Sequence, residues 1–506
     1  MKQTRWFMMF LFLSAVPFCG RAQDDETSRD KEKTDYTVFR IMTVGSLATN
    51  EQTPFWMVSN RYGTVPLKAP GGSLQAGVFH RQPLGRTGWE WSAGADWVAA
   101  TPRYRTVYVQ QLFGELTYRL LSLSIGSREG DRHYSQSLTD PLLSSGDMGI
   151  SPNARPVPEI NLYVPRFVTL PLTGGWLQGK GNFAAGRSFD SDYLESFIRP
   201  DMFYVKDMLW HHKSFFLRVK DTENAFPLSM TLGIRHLVQW GGISTDPNAK
   251  VRIQPRSFRD FIRIVLGKSG AANATPSDQV NVLGSHYGTY DFHLDYEREC
   301  LAVKAYHQHF FDDASGMELK NGTDGLWGIQ VDFPQCAFLH RVVLERLVTL
   351  NQSGPFHFIE YDHSKYPGYG GGGDDYYNNG EYPAGHAYFN RGVGSPLLIS
   401  PEYNADGTPG FKHTRIRAWH LGAEGSLTRE FSCRILLSTV ESFGRPYRPT
   451  LKKMTGTFFL TDFSYAFPKD WKLSVSLAVD RGSLLGNHAG CGVSVTKRGM
   501  IRWMEK

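Results

Sequence analysis

One short segment of the chain combines aromatic rings, carboxylates and carboxamides in a pattern that suits contact with a carbohydrate. Its candidate glycan-binding residues are Asp374, Asp375, Tyr376, Tyr377, Asn378, Asn379 and Tyr382, which follow four glycines at 370–373. Tyrosine rings pack on the C–H faces of sugars, while Asp and Asn exchange hydrogen bonds with hydroxyl groups. The glycines predict a hinge, and the residues after it predict a presented polar and aromatic surface. A solvated loop whose tyrosines pack locally is the alternative.

Metal binding and hydrolysis are weaker interpretations of the polar residues. With Glu381, the same segment offers calcium ligand types, but the spacing of an EF-hand is missing. His307 and His309 lie one strand step apart, and two ligands are too few for a metal site, so we attribute them to the polarity of a barrel interior. The chain has no GxSxG elbow with a supporting acid and His, and a glycine-rich loop is too mobile to hold two carboxylates at the about 5 to 9 Å that glycosidases need. We therefore expect no enzymatic activity, no cofactor and no metal.

The first residues predict export. Basic residues, an uncharged apolar run at 6–16 and small residues ending at Ala22 form the pattern of a secretory signal peptide, residues 1–22. Its removal deletes three basic residues and no acidic residue, which lowers the formal net charge from its value of +6 for the full chain. The weak positive charge that remains does not favour a nucleic-acid surface. Residues 23–36 are nearly all polar and predict a mobile N-terminal arm. Residues 37–506 predict one domain.

A two-residue alternation of apolar and polar side chains is the main structural signal. At 228–240, Leu228, Met230, Leu232 and Ile234 alternate with polar or small residues, which places the two sets on opposite faces of a strand. The pattern recurs at 290–297, 431–438 and 472–480. These runs have the length of about 8 to 12 residues that a tilted strand needs to cross a bilayer.

Aromatic residues and the lack of apolar helices decide between a membrane barrel and a soluble β protein. The tyrosines Tyr104, Tyr118, Tyr290 and Tyr296 bracket apolar strand centres, as rings at the two membrane interfaces do. After the signal peptide no run approaches 18 apolar residues. The sequence therefore predicts an all-β fold, a transmembrane antiparallel β-barrel, over a soluble sandwich.

One amphipathic helix interrupts the strand pattern. Ser257 has the properties of an N-cap, Phe258–Leu266 carry an apolar stripe, and Gly267 terminates the helix. We expect this helix to lie in a long loop or to fold into the lumen. Packed at the barrel mouth, it would obstruct free diffusion.

Five pieces of the chain resemble one protein family. They are Thr53–Gly63 (TPFWMVSNRYG), Asn153–Pro158 (NARPVP), Asp324–Gly328 (DGLWG), Asn351–Pro355 (NQSGP) and Asp374–Asn379 (DDYYNN). Together they resemble the Wzi-type capsule assembly proteins, and the likeness runs from about residue 40 to the C-terminus. The ending Met500–Lys506 departs from outer-membrane habit because it closes on charges instead of an aromatic residue, which leaves the identity of the last strand open.

The resemblance implies an outer-membrane β-barrel of about 18 strands whose lumen is occluded by helical or loop elements. It also implies a lectin that holds exported capsular polysaccharide at the cell surface and has no catalytic activity. The expected partners are that polysaccharide and the lipid of the cell outer membrane, with no nucleic acid. No ligand residue of the family is carried over to a position in this chain. A porin, a diffusion channel for small solutes, is the alternative function.

Overall fold

The computed structural model describes residues 35–85, 87–130, 137–221, 226–354 and 373–503. The predicted signal peptide, most of the predicted arm and the glycines up to residue 372 lie outside the described residues. Within the described ranges, no helix is long and apolar enough to cross a membrane.

Eighteen antiparallel strands form one closed sheet. They are β1 (Asp35–Ala48), β2 (Gly71–Pro83), β3 (Trp89–Thr101), β4 (Val107–Tyr118), β5 (Leu121–Ser127), β6 (Glu159–Thr169), β7 (Leu177–Arg187), β8 (Leu209–Lys220), β9 (Leu228–Trp240), β10 (Ser285–Glu297), β11 (Ala302–Phe311), β12 (Gly325–Asp332), β13 (Leu339–Val348), β14 (Ile416–Ser426), β15 (Phe431–Gly444), β16 (Pro449–Phe467), β17 (Trp471–Gly482) and β18 (His488–Trp503). Each strand pairs with its neighbour in sequence, and β1 pairs with β18 from Asp35↔Trp503 to Ala48↔Gly490. The predicted transmembrane β-barrel fold is confirmed.

The pairing of β1 refines both ends of the domain. Asp35 and Tyr36, predicted to end the polar arm, already belong to the barrel wall because the last strand needs a partner there. The last strand, which the sequence left open, ends at Trp503.

The connections differ in length at the two ends of the barrel. One end, the short-turn end, has connections such as 119–120 and 468–470. The other end, the long-loop end, carries the loops 128–158, 241–284 and 349–415. Barrels of outer membranes have short periplasmic turns and longer extracellular loops. Two-residue ladders in the loops pair Val205–Lys206 with Ile243–Ser244 and Ala387–Tyr388 with Arg391–Gly392.

The wall has an apolar outer face and a polar inner face, as the alternation predicts. On β9 the side chains of Leu228, Met230, Leu232 and Ile234 are exposed, while those of Ser229 and Thr231 are buried. His307 and His309 are a correction, because they lie on the outer face. His307 pairs with the exposed Phe292 and stacks on Trp327 at 3.7 Å between ring centroids.

Short helices occur only in the loops of the described chain. They are α1 (Phe55–Val58), α2 (Ser191–Phe197), α3 (Phe258–Leu266), α4 (Pro276–Val280) and α5 (Ala314–Met317), with 3-10 turns at Thr49–Glu51 and Pro401–Tyr403. The predicted helix is α3, and its boundaries are confirmed. Ser257 Oγ accepts a hydrogen bond from Asp260 N at 3.3 Å, and Gly267 ends the helix with φ = 61°. It lies in the long loop 241–284, the first of the two predicted positions, and it does not fold into the lumen, since it packs on the outer face of the wall against Val238 and Trp240.

Candidate functional site

The lumen at the long-loop end is filled by a hydrophobic core. Loop residues and inward-facing wall residues form one buried cluster, in which Leu143, Leu397 and Leu398 from loops pack with Leu326 and Leu460 from the wall. All five side chains have no exposed surface. The expectation that helical and loop elements occlude the lumen is therefore confirmed, although α3 is not among them.

The helix α1 is one of the occluding elements. Phe55 stacks on Phe458 of β16 with ring centroids 4.4 Å apart, and its backbone N–H donates to Asp480 Oδ2 at 2.8 Å. Trp56 Nε1 donates to Ser438 Oγ at 3.2 Å. Since both side chains are almost completely buried, α1 joins the 49–70 connection to β15, β16 and β17.

Two tyrosines of the predicted glycan-binding segment, Tyr376 and Tyr377, belong to the same hydrophobic core. Tyr376 is completely buried, lies 4.7 Å from the Phe310 ring and accepts a hydrogen bond from Asn321 Nδ2 at 2.6 Å. Tyr377 is buried against Phe411, with ring centroids 5.2 Å apart, and donates its hydroxyl to a loop carbonyl. Burial also raises the pKa of both phenols far above their ordinary value.

The rest of the segment is held by internal hydrogen bonds. Tyr382 is buried in a smaller cluster with Trp210. Asp375 pairs with Arg445 and accepts from Thr414 Oγ1 at 2.8 Å. Asn378 and Asn379 are half-buried and bond to nearby backbone: Asn378 Nδ2 donates to Phe411 O at 3.0 Å, and Asn379 Oδ1 accepts from Glu381 N at 2.8 Å. The predicted presented aromatic surface is thus wrong, because the loop folds inward and covers its own rings.

Carboxyl groups around this segment are placed where ionisation is unfavourable. Burial, followed by the nearby Asp313 charge, raises the pKa of Asp374 to about 7. Burial raises the pKa of Asp324 to about 6 against the opposing effect of three backbone N–H donors. Among the described residues, no group of three or more His, Cys, Asp and Glu side chains could hold a metal ion.

A buried ion-pair network joins the filling to the wall. Arg235 of β9 contacts Asp147 of the 128–158 loop at 2.6 Å and also pairs with Asp291 of β10. Gln308 of β11 donates to Asp147 Oδ2 at 2.7 Å and accepts from Met148 N at 3.0 Å. One cation holds two carboxylates from different elements, so this network fixes the loop to three neighbouring strands.

The lumen at the short-turn end is open and charged. Two cavities of about 1180 and 1350 Å³ share the lining residues Arg128 and Arg166. Lys180, Arg218 and Lys304 also line the first cavity. Ile150, Ala154 and Val393 from loops of the long-loop end line the first cavity as well, so it runs from the short-turn half along the 128–158 loop beside the hydrophobic core.

A second accessible site, here called the aromatic cleft, lies at the long-loop end. It has a volume of about 1000 Å³ and is lined by Tyr104, Tyr108, Phe189, Tyr193, Phe197 and Phe389, together with Arg103, Arg105 and Arg155. Tyr104 meets Tyr193 edge to face at 5.5 Å, and Tyr193 lies 5.5 Å from Phe389. Tyr104 is 42 % exposed and Phe189 is 63 % exposed. Rings are therefore available to a ligand here, in contrast to Tyr376.

The cleft also carries positive charge. The Arg155 guanidinium lies 4.3 Å from the Tyr108 ring and 4.4 Å from the Phe389 ring. Arg103 lies 4.6 Å from the same Tyr108 ring, and Arg105 forms an exposed pair with Asp192 at 2.8 Å. Stacked guanidinium groups are pre-oriented to bind carboxylates in a bidentate manner.

An open strand edge forms one side of the cleft. Strand β5 is short, and its pairing with β4 reaches only from Tyr118 to Leu112. Beyond that point β4 continues to Val107 in its pairing with β3, and Arg155 Nη2 donates to Val109 O at 2.7 Å. The Arg155 side chain therefore donates to a backbone carbonyl of β4 that would accept a hydrogen bond from β5 if that strand were longer.

The sequence held only a partial signal for this cleft. Tyr104, predicted to be an interfacial ring, packs on Tyr193 of α2 in another loop. The sequence shows two separate signals for the cleft: an unusually aromatic stretch at 189–197 (FDSDYLESF) and a basic stretch at 103–105. Their proximity depends on the barrel register, which the composition of either stretch does not specify.

Comparison with known proteins supports the fold. No family model and no curated protein matches the chain. Among solved structures, it is similar to Wzi of Escherichia coli, described as a carbohydrate-binding β-barrel of the outer membrane involved in group 1 capsule assembly, with 12 % identity over 94 % of this chain and 86 % of that chain and a TM-score of 0.54.

Two further solved structures are also similar, and the first of them is from Pseudomonas aeruginosa. OccK5 (OpdH) is 10 % identical over 93 % of this chain and 99 % of that chain, with a TM-score of 0.46. OccD1 (OprD) is 9 % identical over 92 % and 96 %, also with a TM-score of 0.46. At these identities the likeness to Wzi shows the fold, that of an outer-membrane β-barrel.

Proposed function

We propose that this protein binds an acidic polysaccharide at the cell surface and helps to assemble or anchor a capsule there, as a Wzi-type lectin without catalytic activity. The observation that carries the proposal is the combination of a lumen filled by a hydrophobic core with an accessible aromatic and cationic cleft at the long-loop end. A filled lumen is better suited to holding a polysaccharide at the surface than to letting solutes pass through the barrel. The long-loop end is the extracellular end in barrels of this kind, so the cleft would face the exported polymer.

The aromatic cleft supplies both kinds of contact that a charged sugar needs. Tyr104 and Phe189 offer exposed ring faces for stacking, and tyrosine gives large contact area at low entropic cost. Arg103 and Arg105 can pair with the carboxylates of the sugar. Binding at one site would be weak and would gain from the many repeats of a polymer.

The segment Asp374–Tyr382 keeps a smaller place in this proposal. Its half-buried polar residues Asp374, Asn378 and Asn379 are candidates for contact with sugar hydroxyls, while its tyrosines hold the loop in place. Replacing Tyr376 and Tyr377 by Ala would therefore act on folding before it acts on glycan contact.

Deletion of the gene tests the proposal in cells. Cell-attached polysaccharide is expected to fall and released polysaccharide to rise, while their sum stays constant. An unchanged attached amount would contradict anchoring. The double variant Tyr104→Ala with Phe189→Ala should reproduce the loss, whereas the control Phe338→Ala, a 69 % exposed aromatic at the short-turn end, should retain the wild-type distribution.

The cavities of the short-turn half favour a second candidate, a diffusion channel for anionic solutes. Conductance across a planar bilayer separates the two functions. The filled lumen predicts a closed pore, and a steady nanosiemens conductance of the wild-type protein would favour the channel over the lectin.

A further inference from the structure

The helix α3 is attached to the outside of the barrel. Its residue Ile264 is completely buried against Val238 and Trp240 of β9. The wall residue between these two, Gln239, points the other way and donates to Gly385 O in the filled lumen at 3.0 Å. The contact surface of α3 is therefore the outer, membrane-side face of the wall.

Additional contacts fix the orientation of α3. The Phe261 ring lies 5.7 Å from the Trp240 ring and 5.5 Å from the His211 ring, both on the outer face. Lys213 of β8 donates its Nζ to the carbonyl of Val265. The helix is held by both of its turns and is not a freely moving loop segment.

A second apolar stripe of α3 has no cover in the described protein. Phe258 is 79 %, Ile262 42 % and Leu266 58 % exposed, and the positions i, i+4 and i+8 place them on one side of a helix. The Phe261 ring connects this surface to the wall, because its centroid lies 6.2 Å from that of Phe183, an exposed outer residue of β7. The stripe thus continues the apolar belt that a barrel presents to lipid.

The border of the stripe is cationic. The stretch 250–268 contains Lys250, Arg252, Arg256, Arg259, Arg263 and Lys268. The acidic residue of this stretch is Asp260, which is buried and completes the N-terminal capping box of α3. Arg259 is exposed and adjoins the stripe, because it precedes Ile262 by three residues and Leu266 by seven.

We propose that α3 is an interfacial helix that binds a lipid with a phosphorylated headgroup in the leaflet at the long-loop end. Acyl chains would cover Phe258, Ile262 and Leu266, and the phosphate would lie at Arg259 and Lys268. Helices with an apolar face and a basic border lie in the plane of the membrane interface in this way. The site lies on β8 to β10 and is separate from the aromatic cleft at β4.

Native mass spectrometry of the full-length barrel tests the site, with phosphatidylglycerol and phosphatidylcholine as probes. The wild-type protein is expected to retain phosphatidylglycerol preferentially. The double variant Arg259→Gln with Lys268→Gln should lose that preference by about fivefold per cation, with phosphatidylcholine unchanged. The control Arg448→Gln, which alters an exposed arginine in a turn of the long-loop end, should behave as wild type.

Several outcomes would overturn the proposal. Equal retention of the two lipids by the wild-type protein would do so without any variant, which matters if a substitution impairs folding. An unchanged preference in the folded double variant would also do so. Displacement of phosphatidylglycerol by equimolar inorganic phosphate would show an anion site that does not need a lipid, and it would equally contradict the docking of acyl chains.

Discussion

The two halves of the lumen are built on the same eighteen strands and yet differ in kind. The long-loop half is filled by a hydrophobic core in which Phe55, Leu398 and Tyr376 are buried. The short-turn half holds a cavity of about 1350 Å³ lined by charged side chains, and a cavity of about 1180 Å³ extends from there along the 128–158 loop. The cause lies in the connections, because only long loops such as 349–415 have residues to spare for folding inward. The length of the loops, more than the wall, decides what fills a barrel.

The largest loss of stability is expected at the ion pairs that join the hydrophobic core of the long-loop half to the barrel wall. Arg235→Met leaves Asp147 and Asp291 buried without their cation, and we expect a loss of about 3 to 5 kcal/mol in the free energy of unfolding. Urea unfolding of the barrel in micelles measures it. As a control, Arg187→Gln removes an exposed pair with Asp207 and should cost less than about 1 kcal/mol. Equal losses of unfolding free energy in the two variants would mean that the packing of the loops in the lumen does not depend on these buried ion pairs.

The protonation of Asp374 gives the second prediction. Its pKa is raised to about 7 in the folded protein from an ordinary value of 3.8, so between these values the folded state holds a proton that the unfolded state releases. Its contribution to stability is therefore present at low pH and is lost as pH rises toward about 7.

The variant Asp374→Asn should flatten this part of the stability profile between about pH 4 and about pH 7. The measurement is the urea midpoint across that range. Asp406→Asn is a suitable control, because Lys412 lowers the pKa of Asp406 to about 2 and its charge is constant in the same range. An unchanged slope in Asp374→Asn would assign the pH dependence to other groups.

A smaller effect is expected from one buried hydroxyl. Tyr376→Phe removes the acceptor of the Asn321 Nδ2 hydrogen bond, and we expect a loss of about 1 kcal/mol in the free energy of unfolding. Tyr104→Phe, which alters an exposed ring, should leave stability unchanged. If Tyr376→Phe reduces the retention of polysaccharide without a change in stability, its hydroxyl contacts the ligand and the buried arrangement is contradicted.

The smallest effect is expected in the short-turn half. Arg81→Gln breaks a half-buried pair with Glu90 on the inner wall in surroundings that water can reach, and the cost should stay below about 1 kcal/mol. The same unfolding assay tests it. A loss as large as that of Arg235→Met would show that the short-turn half is as tightly packed as the other.

Features with a local cause could be predicted from the sequence. The alternation at Leu228–Ile234 needs only the two-residue period of a strand, and the ends of α3 need only the cap at Ser257 and the left-handed Gly267. Both were confirmed. The side on which α3 packs could not be predicted, because its apolar stripe requires an apolar neighbour but does not specify lipid, wall or lumen.

The burial of the tyrosines in the candidate glycan-binding segment could not be predicted for a related reason. Tyr376 has a composition around it that is typical of an exposed loop, and its burial depends on Phe310 and Asn321 in other parts of the chain. The aromatic cleft likewise requires Tyr104 and Tyr193 to meet across two loops. Side-chain types indicate what a residue can bind, and only the tertiary arrangement decides whether a ligand or the protein itself is bound.

The placement of α1 has a consequence for assembly. Phe55 and Trp56 lie in the 49–70 connection between β1 and β2, and their partners Asp480 and Ser438 lie 425 and 382 residues later in the chain. Contacts between such distant parts of a chain form slowly because loop closure precedes them. The 49–70 connection can therefore pack only after β15 to β17 are in place, and closure of the barrel seam between β1 and β18 is coupled to packing of the interior. A chain truncated before β17 would lose both at once.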